Sequence, residues 1–207
     1  MSTPPSSLSF SDQFAFQPSA STTAALIHLL QSIASLLTTN DFVIVYALDF
    51  SKAFDSVWHS TVLSKMSLLD IPDNIYNWIE YFFREHSHCT KFGHDVSHFR
   101  DISASIIQRS GIGPVSYVVT ASDLHPVNSG NLMSKYADDT YLVIPASNAN
   151  TCTAEVEHIE AWSNANNLQL NRVKSLEIVF ERPRSKRKQT IPPPAVVPCK
   201  ESAESSM

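Results

Sequence analysis

Glycine is scarce in this sequence, with four residues among 207, at positions 93, 111, 113 and 130. Glycine is the residue that most readily adopts positive backbone φ angles, so a chain this poor in it must form most of its tight turns with other residues. Cysteine is scarce as well. The three cysteines, at positions 89, 152 and 199, are odd in number and widely spaced. This pattern argues against a disulfide framework and predicts reduced thiols in a cytoplasmic or nuclear protein.

Long apolar runs are also missing. The longest, FVIVYAL at 42–48, is far shorter than the ~20 residues that a membrane-spanning helix needs. The first ten residues, MSTPPSSLSF, lack the basic start and apolar core of a signal peptide. We therefore expect no membrane partner and a cytoplasmic or nuclear location.

Positive charge is in short supply over most of the chain. Residues 1–181 contain nine Lys or Arg against 18 Asp or Glu, a formal charge of −9, and six further basic residues lie between Arg182 and Lys200. A surface with an excess of acid repels a phosphate backbone. We therefore expect the isolated chain to bind nucleic acid weakly.

The apolar pattern predicts an α/β fold. Helical spacing of apolar residues predicts helices at 21–37, 60–69, 72–86 and 150–166, and segment 113–124 is also assigned to a helix. Runs rich in β-branched residues predict strands at 42–50, 168–170 and 175–180, and hairpins at 88–106 and 135–145.

The two ends of the chain differ from this central part. Residues 1–11 are rich in Ser and Pro and are expected to be disordered, which leaves 12–181 as the folded domain. Residues 182–207 form a basic, Pro-rich tail without apolar periodicity. The tail fits either a solvated extension or a patch for nuclear import or RNA binding.

Two adjacent carboxylates, Asp138 and Asp139, fall at the predicted turn between two strand-like runs. Aspartate is common in solvated turns, which is one interpretation of the pair. The other is a metal site, because two carboxylates this close repel each other and a bound divalent cation removes the conflict. Asp49 supports the second interpretation, since it ends the buried apolar strand, where a carboxylate packs poorly and serves well as a ligand. These three carboxylates could hold two Mg²⁺ or Mn²⁺ ions for phosphoryl transfer.

Five segments strengthen that interpretation because they occur in a definite order. They are DQFAFQPSASTTAALIHLL (12–30), ALDFSKAFDSVWHSTVLSKM (47–66), QRSGIGPVSYVVTASDL (108–124), YADDTYL (136–142) and WSNANNLQLNRVKSLEIVF (162–180). Together they resemble the reverse transcriptase domain of non-LTR, LINE-type retrotransposons. The resemblance implies an RNA-directed DNA polymerase with a polymerase palm fold, whose partners in the parent element are an RNA template, a DNA primer and deoxynucleotides.

The resemblance also implies roles for single residues. Asp49, Asp138 and Asp139 match the catalytic, metal-binding aspartates. Lys174 matches a lysine that protonates the departing pyrophosphate, although a solvated lysine explains it equally well.

Four further residues match substrate-binding positions of the family. Phe54 matches the side chain that excludes a ribose 2′-hydroxyl, and it can also be a core aromatic. Gln108 and Ser110 match the segment that positions the template base and the nucleotide. Tyr136 either supports the primer end or only packs.

The sequence departs from the family pattern at several places. Arg109 stands where the family has Gly, and Ala15, Gln17 and Ser19 replace the Gly, Arg and Gly of another motif. Most of the fingers subdomain and all of the thumb are expected to be missing, as in a truncated element. Two hypotheses therefore remain: a working reverse transcriptase domain, and a catalytically inactive palm remnant. Independent activity is doubtful on these grounds.

The expected architecture is a small antiparallel sheet that carries Asp49, Asp138 and Asp139 on one face. The helices at 21–37, 72–86 and 150–166 are expected to pack together on the opposite face. His94 and His98 are spaced like metal ligands, but they lie in a predicted hairpin with no cysteine partner, so we expect no zinc site there.

Overall fold

The computed structural model describes residues 8–18, 20–84, 86–106 and 110–182. The α-helices are α1 (Thr22–Leu36), α2 (Ala53–Ser56), α3 (His59–Met66), α4 (Asp73–Arg84), α5 (Gly113–Thr120) and α6 (Cys152–Ala165). The strands are β1 (Phe42–Leu48), β2 (Phe50–Ser51), β3 (Ser87–His88), β4 (Lys91–Phe92), β5 (Asp95–Val96), β6 (Arg100–Asp101), β7 (Leu132–Tyr136), β8 (Asp139–Pro145), β9 (Gln169–Leu170) and β10 (Leu176–Glu181). Short 3₁₀ turns cover Ala121–Asp123 and Ala146–Thr151.

A four-stranded antiparallel sheet forms the centre of the domain, in the order β10-β1-β8-β7. Strand β1 lies inside the sheet and pairs with β8 on one side and β10 on the other. All but one of its residues are buried. This position explains the apolar sequence FVIVYAL, since a strand covered on both faces has no polar side to alternate with.

The two faces of the sheet are covered by different helices. Ile44, Tyr46 and Leu48 of β1 belong to the larger core, to which α3, α4, α5 and α6 contribute. Val43 and Val45 point to the other face, where they pack against Leu29 and Ile33 of α1. Alternation along the strand therefore divides the apolar residues of β1 between two cores.

The prediction that all three main helices share one face of the sheet is wrong for α1. Helices α4 and α6 pack on the larger core, as expected, but α1 covers the opposite face, where Val143 of β8 also lies. By strand alternation, this is the face on which Asp139 lies. Helical periodicity shows which side of α1 is buried, but it carries no information about the face of the sheet that this side meets.

The other predicted elements are confirmed as helices or strands, and their ends differ from the prediction by a few residues. Helix α1 begins after Ser21, whose side chain accepts a hydrogen bond from the N–H of Ala24 and so acts as the N-cap. Segment 113–124 is helical despite its valines. The predicted strand at 42–50 is interrupted at Asp49, which separates β1 from β2.

The chain between α4 and α5 carries the predicted hairpin. Strands β4 and β5 pair around Gly93, and β3 pairs with β6. Every residue of these four strands is exposed. Among the residues that the structure describes, no helix is long and apolar enough to cross a membrane.

The ends of the folded part differ from the prediction in one respect. Leu8 is buried, and the N–H of Ser9 donates a hydrogen bond to the carbonyl of Ser122 over 2.8 Å. Residues 8–11 therefore pack against the domain, so the boundary expected after residue 11 lies too late. Residues 1–7 and most of the predicted tail, 183–207, lie outside the described residues.

Strand β1 offers a direct test of this architecture. Ile44 is fully buried in the larger core, whereas Ile178 on the neighbouring strand β10 is 40% exposed. We expect Ile44→Ala to lower the free energy of unfolding by about 2–5 kcal/mol, because it leaves a cavity between the sheet and the helices. The matched change Ile178→Ala should lower it by less than about 1 kcal/mol.

Urea unfolding of the two variants and the wild-type chain, followed by circular dichroism, measures the difference. Equal losses in both variants would contradict the central placement of β1.

Candidate active site

The carboxylates predicted to act together lie at the adjacent ends of two paired strands. In the antiparallel register of β1 and β8, Leu48 is opposite Thr140. Asp49 directly follows Leu48 and Asp139 directly precedes Thr140, so the two aspartates lie next to each other where β1 ends and β8 begins. Asp138 lies in the two-residue turn, Ala137–Asp138, that joins β7 to β8. The pairing of two strands therefore brings together acids that are about 90 residues apart in sequence.

The electrostatics of Asp139 reflect this grouping. Partial burial raises the pKa of the Asp139 carboxyl, and the negative charges of Asp138 and Asp49 raise it further. Each of the three acids therefore lies within electrostatic reach of another, which is the condition for sharing a cation.

Asp49 is fixed through its main chain by the segment that follows β9. Its N–H donates to the hydroxyl of Ser175 over 3.1 Å, and its carbonyl accepts the N–H of Asn171 over 2.8 Å. Ser175 in turn donates its hydroxyl to the carbonyl of Asn171 over 2.8 Å. This closed set of bonds sets the direction in which the chain leaves β1, and with it the position of the Asp49 side chain.

The same segment places Lys174 beside the acids. Its backbone N–H bonds Asn171, and its exposed side chain lines a cavity of about 150 Å³ together with Asp49 and Asp139. The structure thus brings Asp49, Asp139 and Lys174 together around one cavity. The role of Lys174 in proton transfer stays a prediction.

Tyr117 of α5 is a component of this region that the sequence analysis missed. It is 1% exposed, and burial together with the charges of Asp138 and Asp139 raises the pKa of its phenol. Its ring stacks on that of Phe54, with centroids 4.7 Å apart. Tyr117 therefore links Phe54, the predicted sugar-discriminating residue, to the acid pair. An aromatic residue within a helix gives no signal of such a role in the sequence.

The remaining predicted substrate residues are only partly placed. Tyr136 is half-buried at the end of β7 and lines a cavity of about 200 Å³ with Asp139, Tyr141 and several residues of α1. Ser110 accepts a hydrogen bond from the N–H of Gly113 at the start of α5. Gln108 and Arg109 lie outside the described residues.

A second feature missed by the sequence analysis is a pair of buried lysines, Lys65 and Lys135. Lys65 donates to Asp123 over 2.6 Å and also bonds Thr120 and Asn166. Lys135, 1% exposed, pairs with Asp12 over 3.1 Å. Burial lowers the pKa of both ammonium groups, and their acidic partners oppose that shift. Buried charges of this kind are tolerated only when they are paired and hydrogen-bonded.

The donor chemistry at the strand ends fits a hard divalent cation, since Asp49, Asp138 and Asp139 offer only carboxylate oxygens. In the described part of the chain, however, no three side chains of His, Cys, Asp or Glu are already arranged around a common cation position. The pair Asp49 and Asp139, which lines one cavity, is the better-placed part of the set. A cation held here would draw on these two carboxylates first.

Comparison with known protein families identifies the family of this chain. The family described as reverse transcriptase (RNA-dependent DNA polymerase) matches residues 4–191 of this chain. The chain belongs to the reverse transcriptase family. The resemblance that the five ordered motifs indicated is thereby confirmed.

Relatives of this reverse transcriptase chain come from mobile elements. It is 27% identical over 179 residues to the RNA-directed DNA polymerase from mobile element jockey of Drosophila melanogaster, covering 81% of this chain and 19% of that protein. It is 25% identical over 179 residues to the probable RNA-directed DNA polymerase from transposon BS of the same species, covering 81% and 20%. The chain therefore spans about a fifth of the length of the curated relatives it matches.

Solved structures with a similar fold include telomerases. One from Candida tropicalis, in complex with the TWJ fragment of telomeric RNA, has a TM-score of 0.65 at 12% identity and covers 94% of this chain and 35% of that one. One from Candida albicans, in complex with the same RNA fragment, has a TM-score of 0.59 at 14% identity and covers 80% and 31%. These likenesses confirm the reverse transcriptase fold, with a small antiparallel sheet flanked by helices.

The raised pKa of Asp139 predicts a pH-dependent effect on stability. A carboxyl whose pKa is higher in the folded than in the unfolded chain binds more protons when the chain is folded. Stability therefore falls as the pH rises from the unfolded-state pKa through the folded-state pKa. Asp139→Asn removes the effect. We expect the variant to match wild type near pH 3.5 and to exceed it at pH 7, by less than about 1 kcal/mol because the side chain is largely exposed.

Urea unfolding at both pH values measures this difference, with Asp95→Asn in the exposed β4–β5 hairpin as the matched control. A variant that is less stable than wild type at pH 7 would show that the acids do not repel one another.

Proposed function

We propose that this chain carries the catalytic carboxylate centre of an RNA-directed DNA polymerase that works by two-metal nucleotidyl transfer. The observation that supports it best is the β1–β8 register, which sets Asp49 and Asp139 side by side next to the turn that carries Asp138. Family membership supports the same assignment. The fold supports the α/β polymerase palm over residues 12–181, against which residues 8–11 also pack. Residues 182–207 would form its tail.

In this proposal, Asp49, Asp138 and Asp139 hold two Mg²⁺ or Mn²⁺ ions. Bound there, the ions would activate the primer hydroxyl and stabilise charge on the transferred phosphate and its leaving group. The main-chain bonds of Asp49 to Asn171 and Ser175 fix the backbone from which its carboxylate would reach the ions. Such pre-organisation is the main contribution that a protein makes to phosphoryl transfer.

The neighbouring residues supply the other roles. Lys174, which lines a cavity with Asp49 and Asp139, would give a proton to the departing pyrophosphate. Phe54, whose ring stacks on that of Tyr117, would favour deoxynucleotides over ribonucleotides. Tyr136, on the other side of Asp139, would support the primer end, and Gln108 with Ser110 would position the template base and nucleotide.

The partners in this proposal are an RNA template, a DNA primer and deoxynucleotides, in the cytoplasm or the nucleus. Two relatives are named RNA-directed DNA polymerases of mobile elements, and two telomerase neighbours were solved with a fragment of telomeric RNA. Both facts favour a nucleic acid partner for this chain. Its own negative charge, −9 over residues 1–181, predicts that the chain alone holds such a partner weakly.

A second candidate function is that of a catalytically inactive remnant. Gln17 stands where the family pattern has an Arg, and its side-chain amide donates to the carbonyl of Phe10 over 2.8 Å. It is therefore engaged with the main chain and carries no charge for a triphosphate. Arg109, in the place of a Gly of the nucleotide-positioning motif, adds bulk and charge where close backbone approach is needed.

Metal binding tests the carboxylate centre itself. We expect the full chain to bind Mn²⁺ with a dissociation constant on the order of a millimolar, because carboxylates alone complete only part of the coordination shell. The double change Asp138→Asn with Asp139→Asn should remove this binding. Electron paramagnetic resonance of free Mn²⁺ during titration measures the affinity, with Asp95→Asn as the control. Equal binding by wild type and the double variant would exclude the centre.

Primer extension tests whether the carboxylate centre is active in the isolated chain. On poly(rA)/oligo(dT) with dTTP and Mn²⁺, we expect no extension by the isolated chain. The acidic surface, the engaged Gln17 and Arg109 each weaken substrate placement, and loss of about 1 Å of alignment can alone lower a rate ~100-fold. Extension that disappears in Asp138→Ala would instead establish a working polymerase.

A further inference from the structure

The N-terminal segment of residues 8–18, here called the strap, runs beside the outer edge of the sheet. The carbonyl of Asp12 accepts the N–H of Lys135 over 2.7 Å, and the N–H of Phe14 donates to the carbonyl of Lys135 over 2.8 Å. Gln13 thus forms a parallel bridge with Lys135 of β7. The strap therefore lies next to the turn that carries Asp138.

Within the strap, Gln13 is 4% exposed and its side chain reaches that turn. Its Oε1 accepts the N–H of Ala137 over 3.0 Å and the N–H of Ala15 over 2.9 Å. Its Nε2 donates to the carbonyl of Ala137 over 3.4 Å. One buried amide therefore binds both polar groups of the residue that precedes the acid pair, across 124 positions of sequence.

The turn needs such a partner because of its backbone. Ala137 has a φ of 55°, in the left-handed region that favours glycine and strains residues with a Cβ. The turn also has to hold two adjacent carboxylates that repel each other. Strained positions of this kind persist only where surrounding contacts enforce them, and they concentrate at functional sites.

We propose that Gln13 is the positioning residue of the acidic turn: its amide holds Ala137 in the left-handed conformation and so fixes where the carboxylates of Asp138 and Asp139 point. This inference rests on the proposed metal centre for its functional meaning. Gln13 contacts neither the carboxylates nor any substrate position, so it acts only through the main chain of Ala137.

The alternative is that Gln13 merely fastens the strap to the domain. Gln17 provides a matched control, because it lies in the same strap and also donates its side-chain amide to a main-chain carbonyl. Its partner is Phe10, within the strap, so the bond does not involve the turn. Gln13→Met and Gln17→Met then remove the same chemistry from the same segment, and only the first removes it from Ala137.

The experiment compares three variants of the full chain with wild type: Gln13→Met, Gln17→Met and Gln13→Glu. The last keeps an acceptor for the N–H groups of Ala15 and Ala137, but it loses the donor to the carbonyl of Ala137 and adds a buried negative charge. Mn²⁺ affinity is measured by electron paramagnetic resonance. Independently of metal, the ¹³Cα and ¹³Cβ chemical shifts of Ala137 report its backbone angles, and the exchange rate of its amide reports the bond to Gln13.

We expect Gln13→Met to weaken Mn²⁺ binding about 10-fold or more, as changes to residues that orient ligands commonly do. The Ala137 amide should exchange faster and its shifts should move away from left-handed values. Gln17→Met should leave the Mn²⁺ affinity within about twofold of wild type. In Gln13→Glu the retained acceptor should keep the Ala137 amide slower to exchange than in Gln13→Met.

Three results would overturn the inference. They are unchanged Ala137 signals in Gln13→Met, altered signals with unchanged Mn²⁺ affinity, and an equal loss of affinity in Gln13→Met and Gln17→Met. A wild-type chain that binds no Mn²⁺ would contradict the proposed function instead. In that case the Ala137 signals still decide whether Gln13 holds the turn.

Discussion

Mutual repulsion of carboxylates is the constraint on which the local structure around the strand ends depends. Three acids meet where β1 ends and β8 begins, and partial burial together with the charges of Asp138 and Asp49 raises the pKa of Asp139. Hydrogen bonds hold the main chain at Asp49 and at the turn between β7 and β8. The segment after β9 bonds Asp49, and the strap bonds Ala137. Hydrogen bonds to the backbone can hold like charges together without neutralising them, which leaves the acids free to bind a cation.

Part of this arrangement could be predicted from the sequence, because it depends on local patterns. The apolar run ending in Asp49, the strand-like flanks of Asp138 and the helical spacing of α1 and α6 all gave the correct element types. The motif order gave the family. What could not be predicted depends on contacts between distant segments. Periodicity does not reveal which face of the sheet α1 covers, and nothing near Gln13 indicates a partner 124 residues away.

The buried lysines illustrate the same limit. In the sequence, Lys65 and Lys135 look like ordinary surface residues, yet both are almost inaccessible and each binds a carboxylate and main-chain carbonyls. Their partners Asp123 and Asp12 lie far away in sequence. Replacing one member of such a pair leaves the other charge buried without compensation, which destabilises a protein strongly. The two buried ion pairs, Lys65 with Asp123 and Lys135 with Asp12, are therefore intolerant of single changes.

The position of β1 between β8 and β10 has a consequence for synthesis on the ribosome. Strand β1 is completed at Leu48, but the neighbour on one side begins at Asp139 and the other ends at Glu181. At about 5–20 residues per second, this apolar strand waits on the order of ten seconds for both partners. During that interval β1 is an exposed, apolar segment of the nascent chain without its strand partners. Chaperone binding or aggregation would therefore compete with folding most strongly at this strand.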